Sequence, residues 1–281
     1  AGDTQAASSQ GETLYQEAKA ADDAGKSARA IKLYDQVATK YPFAPSAPQA
    51  RYRQAELLEQ SGDVPKAFDA YQKFIERFQG SGLYSKALDR QAAMAQSAAE
   101  GDVKSSFLGL RSKFSLDKTV AMLEKVRDNA PQSNTASKAQ FTVGRLYEGK
   151  KKSKEAIAAY RRLVRDQPNS PEAPESLFRV GQIFVEEADR GNRNQATLDL
   201  AREAFNDYLI QYPGHSRNGE ARKQISQLGS RNLQRTFETA QYYEKTGQLE
   251  SAKVYYRDVV RSSGSGATHD AAKARLRALG E

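Results

Sequence analysis

Five times along the chain a small residue is followed one helical turn later by an aromatic: Ala30 and Tyr34, Ala67 and Tyr71, Ala156 and Tyr160, Ala201 and Phe205, Ala252 and Tyr256. The first two pairs are separated by about 37 residues, and the later ones by that period or by the period plus an insertion. A weaker copy places Thr119 and Leu123 in the same two positions. Gly25, Gly62 and Gly247 stand five residues ahead of the small residue, and Pro42, Pro131, Pro168 and Pro213 stand twelve after it. This is the pattern of two antiparallel helices joined by a tight turn and ended by proline. The small residue lets the first helix approach the second, the aromatic fills the space one turn on, and proline removes a backbone donor. Neither helix buries its apolar stripe alone, so modules of this kind must stack.

The period is close to that of tetratricopeptide (TPR) repeats, and the expected fold is all-α: a right-handed TPR superhelix, or solenoid, of about six helix-turn-helix modules. A composition rich in Ala, Tyr, Lys, Arg, Glu and Gln, with 9 Pro and no Trp, agrees. The domain expectation is a disordered tail over 1–11 and a single solenoid over 12–281. Within it, modules over 12–100 precede an insertion over 101–115, and further modules with a capping helix fill 116–281. "YPFAPSAP", Tyr41 to Pro48, and "QPNSPEAP", Gln167 to Pro174, share the same proline spacing and read as hinges between modules. Ser46 is the expected cap of the helix after the first hinge, with Pro48 in its first turn, and Ser170 or Glu172 with Pro174 the counterparts in the second. Phe107, Leu108, Leu110 and Phe114 suggest that the first insertion packs, and "DRGNRNQATL" is a second insertion. Residues 216–246 read as one long helix, or as two broken near Gly229. The last stretch reads as a cap with Thr268 at its start and Gly280 past its end.

Several chemistries find no support. The chain has no Cys, which excludes disulfides, cysteine catalysis and thiolate metal sites. "GRLYEGKK", Gly144 to Lys151, imitates a phosphate-binding loop but puts Lys151 where a hydroxyl belongs, and Gly144 falls at a helix-packing position. His215 and His269 are far apart, show no metal-ligand spacing and are expected to be solvated. No catalytic residue, metal site or cofactor is therefore expected, and the chain reads as a binding scaffold rather than an enzyme. The net charge of +8 is spread along the chain without a nucleic-acid motif, so no nucleic-acid partner is expected. The densest basic run, Lys150 to Lys154, sits at an expected turn between helices. No apolar run is long enough to span a membrane, and the opening "AGDTQAASSQG" lacks signal-peptide regions, as in a soluble or mature chain. Solenoids of this type bind peptides on the face lined by the first helix of each module. The register places Tyr15, Lys19, Gln49, Tyr52 and Glu56 there.

"KYPFAPSAPQARYRQAELLEQSGDVPKAFDAYQKFIERF" resembles the first inter-repeat segment of the BamD family of outer-membrane assembly lipoproteins, which has Y-P-F-x-P there. "TAQYYEKTGQLESAKVYYRDVV", with Ala240, Tyr242, Tyr243 and Gly247, is similar to that family's last repeat. The resemblance implies a location on the periplasmic face of the outer membrane. It implies partnership with the barrel insertase BamA, with unfolded outer-membrane proteins as clients and with other envelope lipoproteins. It places Tyr41 and Phe43 at the client-receiving end, and the docking surface on the last repeat, with Tyr242 and Tyr255. The family often carries Asn-Arg where this chain has Val254 and Tyr255, so Lys253 or Arg257 is the expected substitute. Membrane association would come only through a lipid anchor lying outside these residues. Modules four and five, with "QPNSPEAPESLFRVGQIF", equally resemble the CpoB/YbgF-type periplasmic TPR proteins that bind TolA and coordinate envelope constriction.

Overall fold

The computed structural model describes residues 2–102, 104–107, 110–191 and 195–281. The chain divides into two compact units, Ala1–Glu172 and Ala173–Glu281, and the boundary falls inside the second proline-rich hinge. The first contains helices α1 (Gly2–Asp23), α2 (Ser27–Lys40), α3 (Ala47–Gln60), α4 (Val64–Arg77), α5 (Tyr84–Glu100), α6 (Leu116–Asn129), α7 (Asn134–Gly149) and α8 (Ser153–Asp166). Between α5 and α6 lies a small antiparallel hairpin of β1 (Lys104–Phe107) and β2 (Leu110–Lys113), with Lys104 opposite Lys113. The second contains α9 (Ala173–Arg190), α10 (Gln195–Gln211), α11 (Asn218–Lys245), α12 (Leu249–Ser262) and α13 (Ala267–Ala278). In each unit successive helices pack on their sequence neighbours, so the fold is all-α and of TPR-solenoid class.

The recurring pair packs as the spacing requires. Ala30, Ala67, Ala156, Ala201 and Ala252 are fully covered, as are the rings of Tyr71, Tyr160, Phe205 and Tyr256, with Tyr34 nearly so. In two modules the first helix adds a glycine against that ring. A Cβ at Gly181 would stand 2.8 Å from Phe205, and one at Gly144 would run into Tyr160. Gly144 is thus a mid-helix packing position of α7, a role incompatible with a phosphate loop.

The helix-joining turns share one hydrogen-bond pattern. Gly25 N–H donates to Asp22 O and Lys26 N–H to Ala21 O; the equivalent pairs recur at Gly62 and Asp63, at Lys151 and Lys152, and at Gly247 and Gln248. This arrangement ends a helix with one left-handed residue, a conformation that favours glycine. Gly25, Gly62 and Gly247 have φ of 70°, 79° and 79°, and Lys151 adopts 58° in the same role.

Several local expectations are corrected. The segment 1–11 enters α1 at Gly2 instead of forming a tail. It is held because Gly11 lies flush on the hinge, where a Cβ would stand 2.7 Å from Tyr41 and Ala44 side-chain carbons. Ser46 makes no side-chain cap; its hydroxyl is buried without a partner, and its N–H donates to Glu12 Oε1 at 2.9 Å. In the second hinge the Ser170 hydroxyl is buried without a partner, which removes Ser170 but not Glu172 as the expected cap; Glu172 accepts from the Ser137 hydroxyl at 2.7 Å. Thr268 lies inside α13, whose cap position is Gly266. Side-chain caps are made by Asp63, Ser115 and Ser133, each accepting from the backbone N–H three residues on. Of the two readings of residues 216–246, the single long helix is the one found: α11 runs unbroken through Gly229.

The first insertion packs through Phe114, which is buried with Lys118 Nζ 5.1 Å from its ring centre. The side chains of Phe107, Leu108 and Leu110 lie outside the described residues, as do residues 192–194 of the second insertion. The histidines are engaged instead of simply solvated, His215 being half-buried and His269 buried. His215 Nδ1 is 2.6 Å from the Tyr208 hydroxyl, and His269 is buried with Nδ1 3.1 Å from Ser263 Oγ.

Candidate binding surfaces

A polar clamp recurs in the module cores. The hydroxyl of the packing tyrosine donates to a carboxylate twelve residues earlier on the first helix: Tyr34 to Asp22 at 3.2 Å, Tyr71 to Glu59 at 3.1 Å, Tyr160 to Glu148 at 2.6 Å and Tyr256 to Glu244 at 2.7 Å. At Asp22, Glu59 and Glu244 an arginine of the next helix joins the same carboxylate. Arg53 reaches Asp22 at 2.7 Å, Arg90 reaches Glu59, and Arg275 reaches Glu244. The Arg53 hydrogen bonds hold Asp22 below the usual carboxylate range. Burial first, and the neighbouring carboxylate second, push the Tyr34 and Tyr71 phenols upward, so both remain protonated donors. The clamp ties three consecutive helices through one acidic group. Sequence reading missed it, although the acid-to-tyrosine and tyrosine-to-arginine spacings repeat without change.

In the first unit the hinge presents an aromatic. Phe43 is 82% exposed, with the Arg77 guanidinium carbon 5.7 Å from its ring centre. Tyr41 is half-buried, its hydroxyl 3.5 Å from Gln10 Oε1, so α1 fixes the hinge that carries Phe43. Lys19 and Gln49 are exposed. Tyr15 is half-buried, its ring 5.8 Å from that of Tyr34, and Glu56 is paired with Arg53 at 3.0 Å. Tyr52 is only 9% exposed and meets Tyr71 and Phe74 edge-on at 5.7 Å. Its ring belongs to the core, which corrects the picture of Tyr52 as an open anchor: its truncation would read out on stability.

In the second unit Tyr242 is 62% exposed and stands edge-on to Tyr243, which stacks on Tyr255 at 5.3 Å and 11°. Two of the four residues expected at the docking surface, Tyr242 and Tyr255, are thus joined through a third tyrosine. Lys253 bonds Glu250 at 3.0 Å, and Arg257 bonds the Glu281 carboxylate with Nε at 2.8 Å. Arg257 first, and Lys253 with it, hold Glu281 below the usual range. Arg257 also lines a groove of about 290 Å³ between α12 and α13, with Val254, Val260, Arg261 and Leu276. Val254 is 52% exposed, so the position where the resembled family often has a polar residue is here an apolar rim. A larger groove of about 680 Å³ runs beside α11, floored by Ala188 and Leu198 and edged by Ser230, Arg231 and Gln234. Among the described residues no group of acidic and histidine side chains is placed to hold a metal ion, and no helix is long and apolar enough to cross a membrane.

Helix pairs packed in this register define the tetratricopeptide-repeat class of interaction scaffold. The tetratricopeptide-repeat family model matches residues 15–82, and the outer-membrane lipoprotein model YfiO matches residues 110–276. The chain belongs to that YfiO, or BamD, family of outer-membrane lipoproteins. No curated protein matches it. Among solved structures it is similar to the P58(IPK) TPR domain, with 14% identity, 96% of this chain and 78% of that one covered, and a TM-score of 0.40. YrrB, described as a TPR protein with an unusual peptide-binding site, gives 14%, 75%, 90% and 0.34 on the same measures. MamA from Desulfovibrio magneticus RS-1, from its residue 41 onward, gives 16%, 73%, 97% and 0.32.

Proposed function

We propose that this chain is a non-enzymatic scaffold of outer-membrane β-barrel assembly, receiving unfolded outer-membrane proteins on its first unit and docking a BamA-like insertase on its second. The observation that carries this reading is the YfiO match, which spans the last three helices of the first unit and nearly all of the second. Client capture falls to exposed Phe43 and to Tyr41, Tyr15, Lys19, Gln49 and Glu56 of the same unit. An aromatic fixed on a proline-bounded hinge offers a large contact area at small entropy cost. Docking falls to the Tyr242–Tyr243–Tyr255 stack and to Lys253 and Arg257. Both cations already hold intramolecular carboxylates, so an acidic partner group would exchange with Glu250 or Glu281 instead of meeting bare charge. The protein would act at the periplasmic face of the outer membrane.

The test is biolayer interferometry between the full chain and the periplasmic region of the barrel insertase from the same organism. Saturable binding, weakened at least about tenfold by Tyr242→Ala together with Tyr255→Ala, is the expected result. Binding to a TolA-type periplasmic protein with no binding to the insertase would overturn the assignment in favour of envelope constriction.

A further inference from the structure

Helix α10 turns an apolar and acidic stripe to solvent. Ile210 is 80% exposed and Leu200 40%. At roughly 100° per residue both share a face with exposed Glu203 and Asp207, the four lying within an arc of about 80°. The helix buries its other side through Ala201, Ala204, Phe205 and Tyr208, so the stripe adds nothing to the core of its unit. The third acid of the helix, Asp199, is 3.7 Å from Arg202 and accepts from Gln195. The side chains of Glu203 and Asp207 make no ion pair or hydrogen bond among the described residues.

The repeat itself shows that the fold does not call for this stripe. One residue before the small packing residue, where α10 has Leu200, the other modules have Arg29, Lys66, Glu155 and Ser251. Nine residues after it, where α10 has Ile210, they have Thr39, Glu76, Arg165 and Arg261. Helices α2, α4, α8 and α12 also carry more cations than acids, whereas α10 sets Asp199, Glu203 and Asp207 against Arg202 alone. One module therefore departs from its copies in both polarity and sign of charge, on the same exposed face.

We propose that this face of α10 docks a basic amphipathic helix of a partner protein. Leu200 and Ile210 stand about 15 Å apart along the helix, with two free carboxylates between them. A second helix laid alongside matches that spacing when its own aliphatic residues bracket Lys or Arg. An extended segment would need a strand edge or a groove, and the carboxylates repel an anionic lipid or nucleic-acid surface. Burial of the aliphatic pair supplies the holding contact, and charge selects the partner. The Tyr242–Tyr243–Tyr255 surface belongs to α11 and α12, so the proposal holds whichever protein docks there.

The test is fluorescence anisotropy of the full chain with a labelled synthetic helix-forming peptide of about 18 residues, built of Ala, with Leu along one face and Lys beside it. One control peptide carries Glu for Lys, and another scatters the same Leu and Lys around the helix. The first variant is Leu200→Arg with Ile210→Thr, the residues that the first module holds at these positions, and the second is Glu203→Gln with Asp207→Gln. Asp69→Gln with Glu76→Gln on α4 serves as the charge control, and circular dichroism checks that each variant keeps its helix content. The expected result is saturable, salt-sensitive binding of the one-faced Lys peptide alone. The first variant should weaken it at least about tenfold, the second severalfold with loss of the salt dependence, and the α4 control no more than about twofold. Absence of binding, equal binding of the scattered peptide, or equal loss in the α4 control would overturn the site. So would self-association of the parent, seen by sedimentation velocity and dispersed by Leu200→Arg with Ile210→Thr, which would give the face to a second copy of this chain.

Discussion

Tyr52 shows how a single side chain changes meaning once its neighbours are known. On the helix register it shares a face with Tyr15 and Gln49; in the fold its ring closes on Tyr71 and Phe74. Tyr52→Ala should lower unfolding free energy by about 3 kcal/mol in denaturant titration, as for other buried aromatic truncations. Asp22 carries a different signature. Arg53 holds its folded pKa below the unfolded value of about 3.9, so its contribution is complete above that pH and lost as pH falls through the lower folded value. Asp22→Asn should therefore cost about 1 kcal/mol at neutral pH, and the difference from the parent should close as pH drops below about 4. Such clamps were missed because they unite separate helices and no single helix's periodicity reveals them; their only trace in the sequence is the constant spacing from acid to tyrosine to arginine. The histidines were misjudged for a related reason. Loop placement suggested water, whereas Tyr208 and Ser263 come from the neighbouring helix or its end to meet them.

Element by element, what the sequence made legible was the second helix of each module. Its small residue and its aromatic both lie on the buried stripe, and that stripe has one solution in a helical pair. Helix starts were less legible, because Ser46 and Thr268 have the right chemistry for capping but sit where Glu12 and Gly266 take over. The glycines of the first helices follow from the aromatics they face. Gly181→Ala forces a methyl into Phe205 and should destabilise by about 2 kcal/mol, a figure thermal or urea unfolding can check. The turn at Lys151 makes the opposite case. Lys151→Gly relieves a left-handed lysine and should stabilise by about 0.5–1 kcal/mol, whereas the same change at a helical surface lysine should destabilise.

At the scale of the whole molecule, the Y-P-F-A-P hinge and the A-Q-Y-Y segment pointed to the family that the match over residues 110–276 shows. Placing the surfaces took coordinates, since exposure is a tertiary property: Phe43 and Tyr52 are both hinge-side aromatics, and only the first faces solvent. The account's central claim is that client capture and insertase docking belong to separate units with separate residues. The most direct measurement is paired titration of the full chain with an unfolded outer-membrane protein segment and with the insertase's periplasmic region, in the parent, Phe43→Ala, and Tyr242→Ala with Tyr255→Ala. The account predicts that Phe43→Ala weakens only the client by about tenfold, and that the tyrosine pair weakens only the insertase by a similar factor. If both variants weaken the same ligand, or if neither weakens either one while folding is intact, the division of labour proposed between the units is contradicted.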